Sequence, residues 1–388
     1  TWVITSYAVA EAIMLPLTGW LTTRFGILKQ YVCATLLFTV ASILCGLAPN
    51  FELLLLARIL QGVVGASMIP LSQTLLMSVY PKEKRGLAIG IWAMTAVTAP
   101  VAGPILGGWI TDNLSWRWAF YINLPIGIFS AYMVHSIFTN KGWVDKVKKV
   151  PIDIWGLIFL VLSVGSLQLL LDKGNELDWF SSSFIVCLAV SAVVFMIILV
   201  IWESGQANPV VNFKFFKNRN FAIGVFVLCV GSIAFFSTVV ILPIWLQNYM
   251  GYTAFQSGLT TATTSIFVIF LAPIIGGNIH KVDARKVVAC GFIIFFLVSL
   301  YGSHITPDVT NGYISFSRLL LGLGLVCFFI HLNNITFADI STEEMASASG
   351  ISNFTRNMGN SFGTSMVVNY WDRLQAGHHE NLVSHIKY

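Results

Sequence analysis

The sequence is short of charge. Only 10% of its 388 residues are Asp, Glu, Lys or Arg, against roughly 25% in a soluble domain. A soluble protein this poor in charge could not cover its surface with polar groups. A soluble enzyme, a disordered protein and a nucleic-acid-binding module are therefore excluded. There is no close pair of cysteines. Cys33, Cys45, Cys187, Cys229, Cys290 and Cys327 each stand alone in an apolar run, so neither a zinc site nor a disulfide framework is expected. They read as small buried hydrophobes. No GxxxxGK[ST] loop is present, so ATP is not expected to drive the protein and no cofactor is expected. No loop gathers the acid, histidine or metal cluster that a membrane enzyme such as a lipid-linked transferase needs, so the chain is not read as an enzyme. Nor does a methionine or signal peptide precede Thr1, which reads as the start of a piece of a longer protein.

What the sequence has is apolar length. Hydrophobic residues make up 56% and aromatics 13%, and the mean hydropathy is +0.78. A membrane helix takes about 20 mostly apolar residues. Twelve such runs occur, near 2–21, 30–48, 53–79, 87–110, 117–137, 154–171, 182–202, 221–247, 256–279, 287–304, 313–338 and 346–370. They are continuously apolar rather than alternating, which argues against a transmembrane barrel. Fifteen of the 22 Lys and Arg residues fall on alternate loops that share one side, among them Lys82–Arg85 and Lys146–Lys149. Only Arg117, Lys173, Arg373 and Lys387 fall on the other side, and Arg58, Arg318 and Arg356 lie within runs. The bias places the first side in the cytoplasm. Both visible ends then lie outside, and a further helix is expected beyond each.

Two patterns recur. Arg58-Ile-Leu-Gln-Gly62 opens the third run, and Arg318-Leu-Leu-Leu-Gly322 sits at the same place in the eleventh. Gly19, Arg24 and Lys29 follow the first run at the same offsets as Gly276, Lys281 and Lys286 follow the ninth. Two matches in one order suggest two halves related by an axis along the membrane normal, as in transporters with a midplane site between halves. The runs at 154–171 and 182–202 belong to neither half and read as an inserted hairpin. The expected division is 1–137, 138–220 and 221–388.

The fourth run holds Ala99-Pro100-Val-Ala-Gly103-Pro104-Ile-Leu-Gly107-Gly108. Gly103 and Gly107 make a small-xxx-small surface for close helix packing. Pro100 and Pro104 each remove a backbone donor and are expected to bend the helix. The alternative is ordinary tight packing. This stretch resembles the antiporter motif of the major facilitator superfamily. Gly19, Arg24 and Gly26 resemble that superfamily's loop motif, and Leu55 to Gly62 resembles its fourth-helix motif. Trp2 to Tyr7 and Ser115 to Gly127 are similar to the fourteen-helix drug–proton antiporters. Leu171 to Phe180 and Asn353 to Arg356 are most like the EmrB-type multidrug pumps. The resemblance implies an all-α polytopic fold with two six-helix halves and two inserted central helices, twelve spans visible of fourteen. It implies proton-coupled export of hydrophobic drugs across a bacterial inner membrane, with a periplasmic EmrA-type adaptor and an outer-membrane channel as partners. One departure stands out: the loop motif usually carries an acid where this chain has Thr23, which puts any charge-pair latch there in doubt.

Ionisable residues deep in apolar runs cost at least ~2.5 kcal/mol each and should face a partner or a cavity. Glu11 is roughly 14 Å into its run at 1.5 Å per residue, near midplane. It is the only acid at that depth. Glu11 and Arg58, the deep base of the same half, are the candidates for proton coupling. Structural pairing between helices is the alternative, and Arg318 reads that way. Gln73, Asn123, Phe235, Asn333, Asn353 and Arg356 are the candidates for a substrate cavity. His331, Asn334, Asn360, Trp92, Phe236 and Trp245 lie on the same runs and are weaker ones. A carrier for a defined metabolite remains the alternative to a drug exporter. A passive channel is disfavoured by the repeat and the proline-rich fourth run.

Overall fold

The structure is a computed structural model. It describes residues 2–81, 84–140, 142–145, 147–306 and 308–386. For Val97, Pro100, Val101, Pro104, His280, His379 and residues 381–386 it describes the backbone alone. Lys82, Lys141 and Lys146, counted above among the loop bases, lie outside the described residues.

Among the described residues the chain is helical throughout. The helices are α1 (Trp2–Met14), α2 (Thr18–Phe25), α3 (Ile27–Leu47), α4 (Phe51–Gly65), α5 (Met68–Val79), α6 (Arg85–Asn113), α7 (Trp118–Tyr121), α8 (Asn123–Asn140), α9 (Ile154–Lys173), α10 (Ser183–Gly205), α11 (Arg219–Tyr249), α12 (Ala254–Gly277), α13 (Ala284–Gly302), α14 (Asn311–Thr336) and α15 (Met345–Ile386). Among the described residues nine stretches are long and apolar enough to cross a membrane, and ten if the bent pair α1–α2 counts as one. The expected runs at 87–110 and 346–370 are α6 and α15, which are not among the ten. Four side chains of α6 lie outside the described residues, whereas α15 is rich in Gly, Ser and Asn. Helix α6 packs chiefly on α12 and α15 on α11; a helix packed mainly on other helices does not need an apolar face all round.

Local chemistry explains the boundaries. Asn50 caps α4 by accepting from the Leu53 N–H at 3.0 Å, and Asp153 caps α9 by accepting from Gly156 at 3.0 Å. Thr253 and Gln256 form a reciprocal capping box at the start of α12, which satisfies two orphan donors. Between α1 and α2 the axis turns by 60°. Pro16 stands in this break. It has no N–H to donate, and its ring crowds the carbonyl four residues earlier.

Helices α1–α8 pack among themselves, as do α11–α15. The two groups meet at two seams, α6 against α12 and α14, and α1, α2 and α5 against α15. Helices α9 and α10 pair with each other, and α9 also rests on both α1 and α15. The repeated glycines take matching places. A Cβ on Gly62 would lie 2.5 Å from the Tyr7 carbonyl oxygen of α1, and one on Gly322 would collide with the Thr264 carbonyl of α12. Gly19 in turn abuts Ser347 of α15, and Gly276 abuts Gly86 of α6. Each repeat thus uses one glycine within its own group and one at a seam.

The antiporter stretch differs from expectation. Among the described residues a Cβ on Gly103 or Gly107 would meet nothing within 4 Å, and one on Gly108 would make only ordinary contacts with Ala254 and Phe255. These glycines are not a tight helix contact in this conformation. The close approach of α6 to α12 lies nearer the basic end, at Gly86 and Gly90; a Cβ on Gly90 would sit 2.5 Å from the Ala272 carbonyl oxygen. Helix α6 runs unbroken through Pro100 and Pro104, whose side chains lie outside the described residues.

Candidate functional site

At the centre of the bundle is a cavity of about 480 Å³ between the two groups of helices. Four aromatic rings line it: Trp92 from α6, Phe235 and Phe236 from α11, and Phe329 from α14. Phe235 and Phe236 meet edge to face at 5.1 Å, a favoured geometry for aromatic pairs. Two charged side chains reach into it, Glu11 from α1 and Arg356 from α15. Arg356 lies over the Trp92 ring, 5.8 Å from its centre.

Glu11 is held from the far group of helices. Arg356 and Asn357 of α15 line the cavity with it, and its charge is felt more strongly by Arg356 than by Arg58. The expected partner, Arg58, is the lesser one. Arg58 is engaged within its own group. Its Nε donates to the Val3 carbonyl at 3.1 Å and its Nη1 to Gln61 Oε1 at 2.8 Å. Its guanidinium also stacks 4.5 Å over Tyr7 and 5.7 Å from Phe120. Arg58→Ala removes all four contacts and leaves Gln61 Oε1 short of a charged donor. The expected cost is about 2 kcal/mol of stability, read as a lowered thermal midpoint of the purified protein. Arg58→Lys should recover only part, since a lysine cannot reproduce the fork.

The other expected cavity residues divide into two sets. Asn333 and Asn353 lie about one turn nearer the basic end than Phe329 and Arg356, roughly 5–6 Å by the helical rise, and Gln73 directly follows the cavity residue Ser72. There Gln73 Nε2 donates to Asn333 Oδ1 at 3.4 Å, and the Ser349 hydroxyl donates to Gln73 Oε1 at 2.6 Å. Asn353 Nδ2 donates to the Ser349 carbonyl at 2.8 Å. All four are buried. They form a polar floor that joins α5 to α14 and α15, rather than a wall. Below it, a Cβ on Gly350 would sit 2.7 Å from the Leu15 carbonyl, so the groups are in close contact at this end. Asn123 is elsewhere: its Nδ2 donates to Ser42 Oγ at 2.9 Å, and Gln61 Nε2 donates to the same hydroxyl at 3.0 Å. It belongs to the scaffold around Arg58. Trp92, Phe236 and Asn360 do line the cavity. His331 is buried within α14, Trp245 packs beside Leu246, and Asn334 lines a separate hollow.

The loop motif is docked without a charge pair at Thr23, whose hydroxyl donates to the Gly19 carbonyl at 2.9 Å. Arg24 Nη1 donates to the Val150 carbonyl at 3.0 Å. Gly26 has φ +88°, a region open to glycine at little cost. A Cβ there would also collide with Asp145. Asp145 is an acid that the sequence reading missed. Its carboxylate accepts from the Leu28 and Lys29 N–H groups at 3.1 and 3.2 Å, filling the positive N-terminus of α3.

Among the described residues no group of His, Cys, Asp and Glu has the arrangement of a metal site. The cavity instead suits an apolar molecule with a polar or charged end.

Residues 1–364 match the family described as Major Facilitator Superfamily. The Multidrug export protein EmrB of Haemophilus influenzae is 44% identical over the whole chain, which covers 76% of that protein. The EmrB of Escherichia coli K12 is 41% identical, again over the whole chain and 75% of that protein. The Fatty acid resistance protein FarB of Neisseria gonorrhoeae is 40% identical over the whole chain and 76% of its own length. Among solved structures, the human organic anion transporter MFSD10 superposes with a TM-score of 0.67 at 11% identity, covering 95% of this chain and 78% of that one. The proton:xylose symporter XylE superposes with a TM-score of 0.61 at 12% identity, covering 99% and 80%. The last two likenesses concern the fold alone.

Proposed function

This chain belongs to the Major Facilitator Superfamily, and from that premise we propose that it is a proton-driven exporter of hydrophobic drugs and toxic compounds. We take α1–α8 and α11–α15 as its two halves and α9–α10 as an insertion between them. The observation that carries the reading is that Glu11 and Arg356, one from each half, line the same cavity. Relatives named for multidrug export and fatty acid resistance support the substrate class.

The coupling follows from the pair. A carboxylate on Glu11 attracts Arg356 and draws α1 toward α15. A proton taken up by that carboxylate removes the charge, and with it the attraction. Arg356, which already lies over Trp92, is then free to engage a polar group on a bound drug. Drug and proton therefore compete for one arginine, which is what exchange of one for the other requires. The aromatic faces bind apolar bodies with little regard to their outline. A carrier for one hydrophilic metabolite would need a denser set of polar partners than Ser72, Thr95, Asn357 and Asn360 offer.

By the positive-inside rule the basic loops face the cytoplasm, and the protein sits in a bacterial inner membrane. A periplasmic adaptor and an outer-membrane channel complete the route in this reading. The test is uptake of a fluorescent dye into inside-out vesicles that carry the protein. An imposed proton gradient should concentrate the dye, and a protonophore should abolish the accumulation. Mere equilibration of the dye, or accumulation that ignores the gradient, would sink the proposal.

A further inference from the structure

A second hollow, of about 710 Å³, lies at the basic end between the starts of α11 and α13 and the end of α14. Its interior is apolar, with Ile223, Val227 and Val288 among the residues there. Ile223 is 51% exposed, so the hollow opens sideways, onto the surface that a bilayer covers. Its rim carries two arginines, Arg219 and Arg285. Both are exposed, and among the described residues neither guanidinium has an acceptor or an aromatic partner. The acids nearby are occupied. Asp339 Oδ2 accepts from the Asn220 and Asn218 amides at 2.7 and 3.3 Å. Asp283 accepts from the Arg285 backbone N–H at 3.0 Å.

Two free guanidiniums beside an apolar furrow at a membrane boundary are complementary to one ambient kind of molecule. It has a phosphate at one end and hydrocarbon at the other. Basic pockets between transmembrane helices bind such headgroups. The planar guanidinium fork matches phosphate oxygens, and two helix N-termini beside it favour an anion. We propose that this hollow binds an anionic glycerophospholipid. The headgroup phosphate lies between Arg219 and Arg285, and an acyl chain runs along Ile223 and Val227. Bound there, the lipid braces the start of α11 against the start of α13. The site is separate from the central cavity and does not depend on the export reading.

The test is thermal unfolding of the detergent-solubilised protein with added phosphatidylglycerol, phosphatidylcholine or soluble glycerol phosphate. Phosphatidylglycerol should raise the midpoint; the other two should not. At roughly fivefold per basic residue, Arg219→Gln with Arg285→Gln should weaken the phosphatidylglycerol half-saturation about 30-fold. If that variant fails to fold, Arg285→Gln alone should weaken it about fivefold. Lys214→Gln with Lys217→Gln changes the charge equally, just outside the hollow, and should have no effect. An equal response to phosphatidylcholine would overturn the proposal, because the headgroup would not matter. A response reproduced by glycerol phosphate would overturn it as well, because the furrow would not matter. So would a lysine pair that weakens binding as much as the arginine pair, or an arginine variant with unchanged half-saturation.

Discussion

Glu11→Gln is expected to abolish proton-driven efflux while the protein still inserts and accumulates. The variant keeps the shape of the side chain but fixes the neutral state. Arg356 then never feels a charge that comes and goes. Leaving one of two attracting charges uncompensated in a desolvated site costs on the order of 3–5 kcal/mol, enough to shift a two-state equilibrium by a hundredfold or more. Efflux should fall by about that factor and lose its response to a pH series. Arg356→Gln should also abolish efflux, and it should lower thermal stability because a charged Glu11 is left without its main partner. The double variant Glu11→Gln/Arg356→Gln should regain that stability and still not transport. Arg356→Lys keeps the charge and should retain partial efflux. Full, protonophore-sensitive efflux by Glu11→Gln would remove Glu11 from the mechanism.

The second large effect is expected where α6 touches α12. Gly90→Leu would drive a side chain into the Ala272 carbonyl, which is backbone and cannot move aside as a side chain can. Overpacking of this kind costs typically 1–3 kcal/mol and occasionally more, so a lowered thermal midpoint and poor accumulation are expected. Gly107→Leu enters open space and should leave the midpoint unchanged. Efflux separates the two ideas about the antiporter stretch. If Gly107→Leu is stable but does not transport, the close approach read from the sequence occurs in another state of the cycle. If it is stable and transports normally, the glycine spacing there is generic packing. A large loss of stability in Gly107→Leu would contradict the geometry described here.

The spans and the repeat were legible because apolar length and recurring glycine–base offsets are local properties of a sequence. Glu11 and Arg356 were legible because a charge in a long apolar run is rare enough to need a reason. Their pairing was not, because Arg58 is nearer in sequence and the turn of α15 that faces α1 is set by packing. Gln73, Asn123 and Asn333 show the same limit. An amide in a helix announces a polar partner but not its direction, and these three found their partners beside the cavity or far from it. Asp145 could not be foreseen at all, since the N-terminus it fills belongs to a helix that begins 118 positions earlier.

The hairpin helix α9 has a consequence for the bilayer. It is stitched to both sides of the seam between α1 and α15. Lys173 Nζ of α9 lies 4.7 Å from the centre of the Trp2 ring of α1. Gln168 donates to Ser361 of α15 at 2.9 Å, and Ser365 of α15 donates to the Leu171 carbonyl at 2.7 Å. Hydrocarbon tails are the solvent here, and they compete for any apolar space they can reach. A weak ligand could not displace a solvent at such concentration. With α9 laid across the seam, the tails are kept out on that flank, and an aromatic pocket can stay selective for molecules other than lipid.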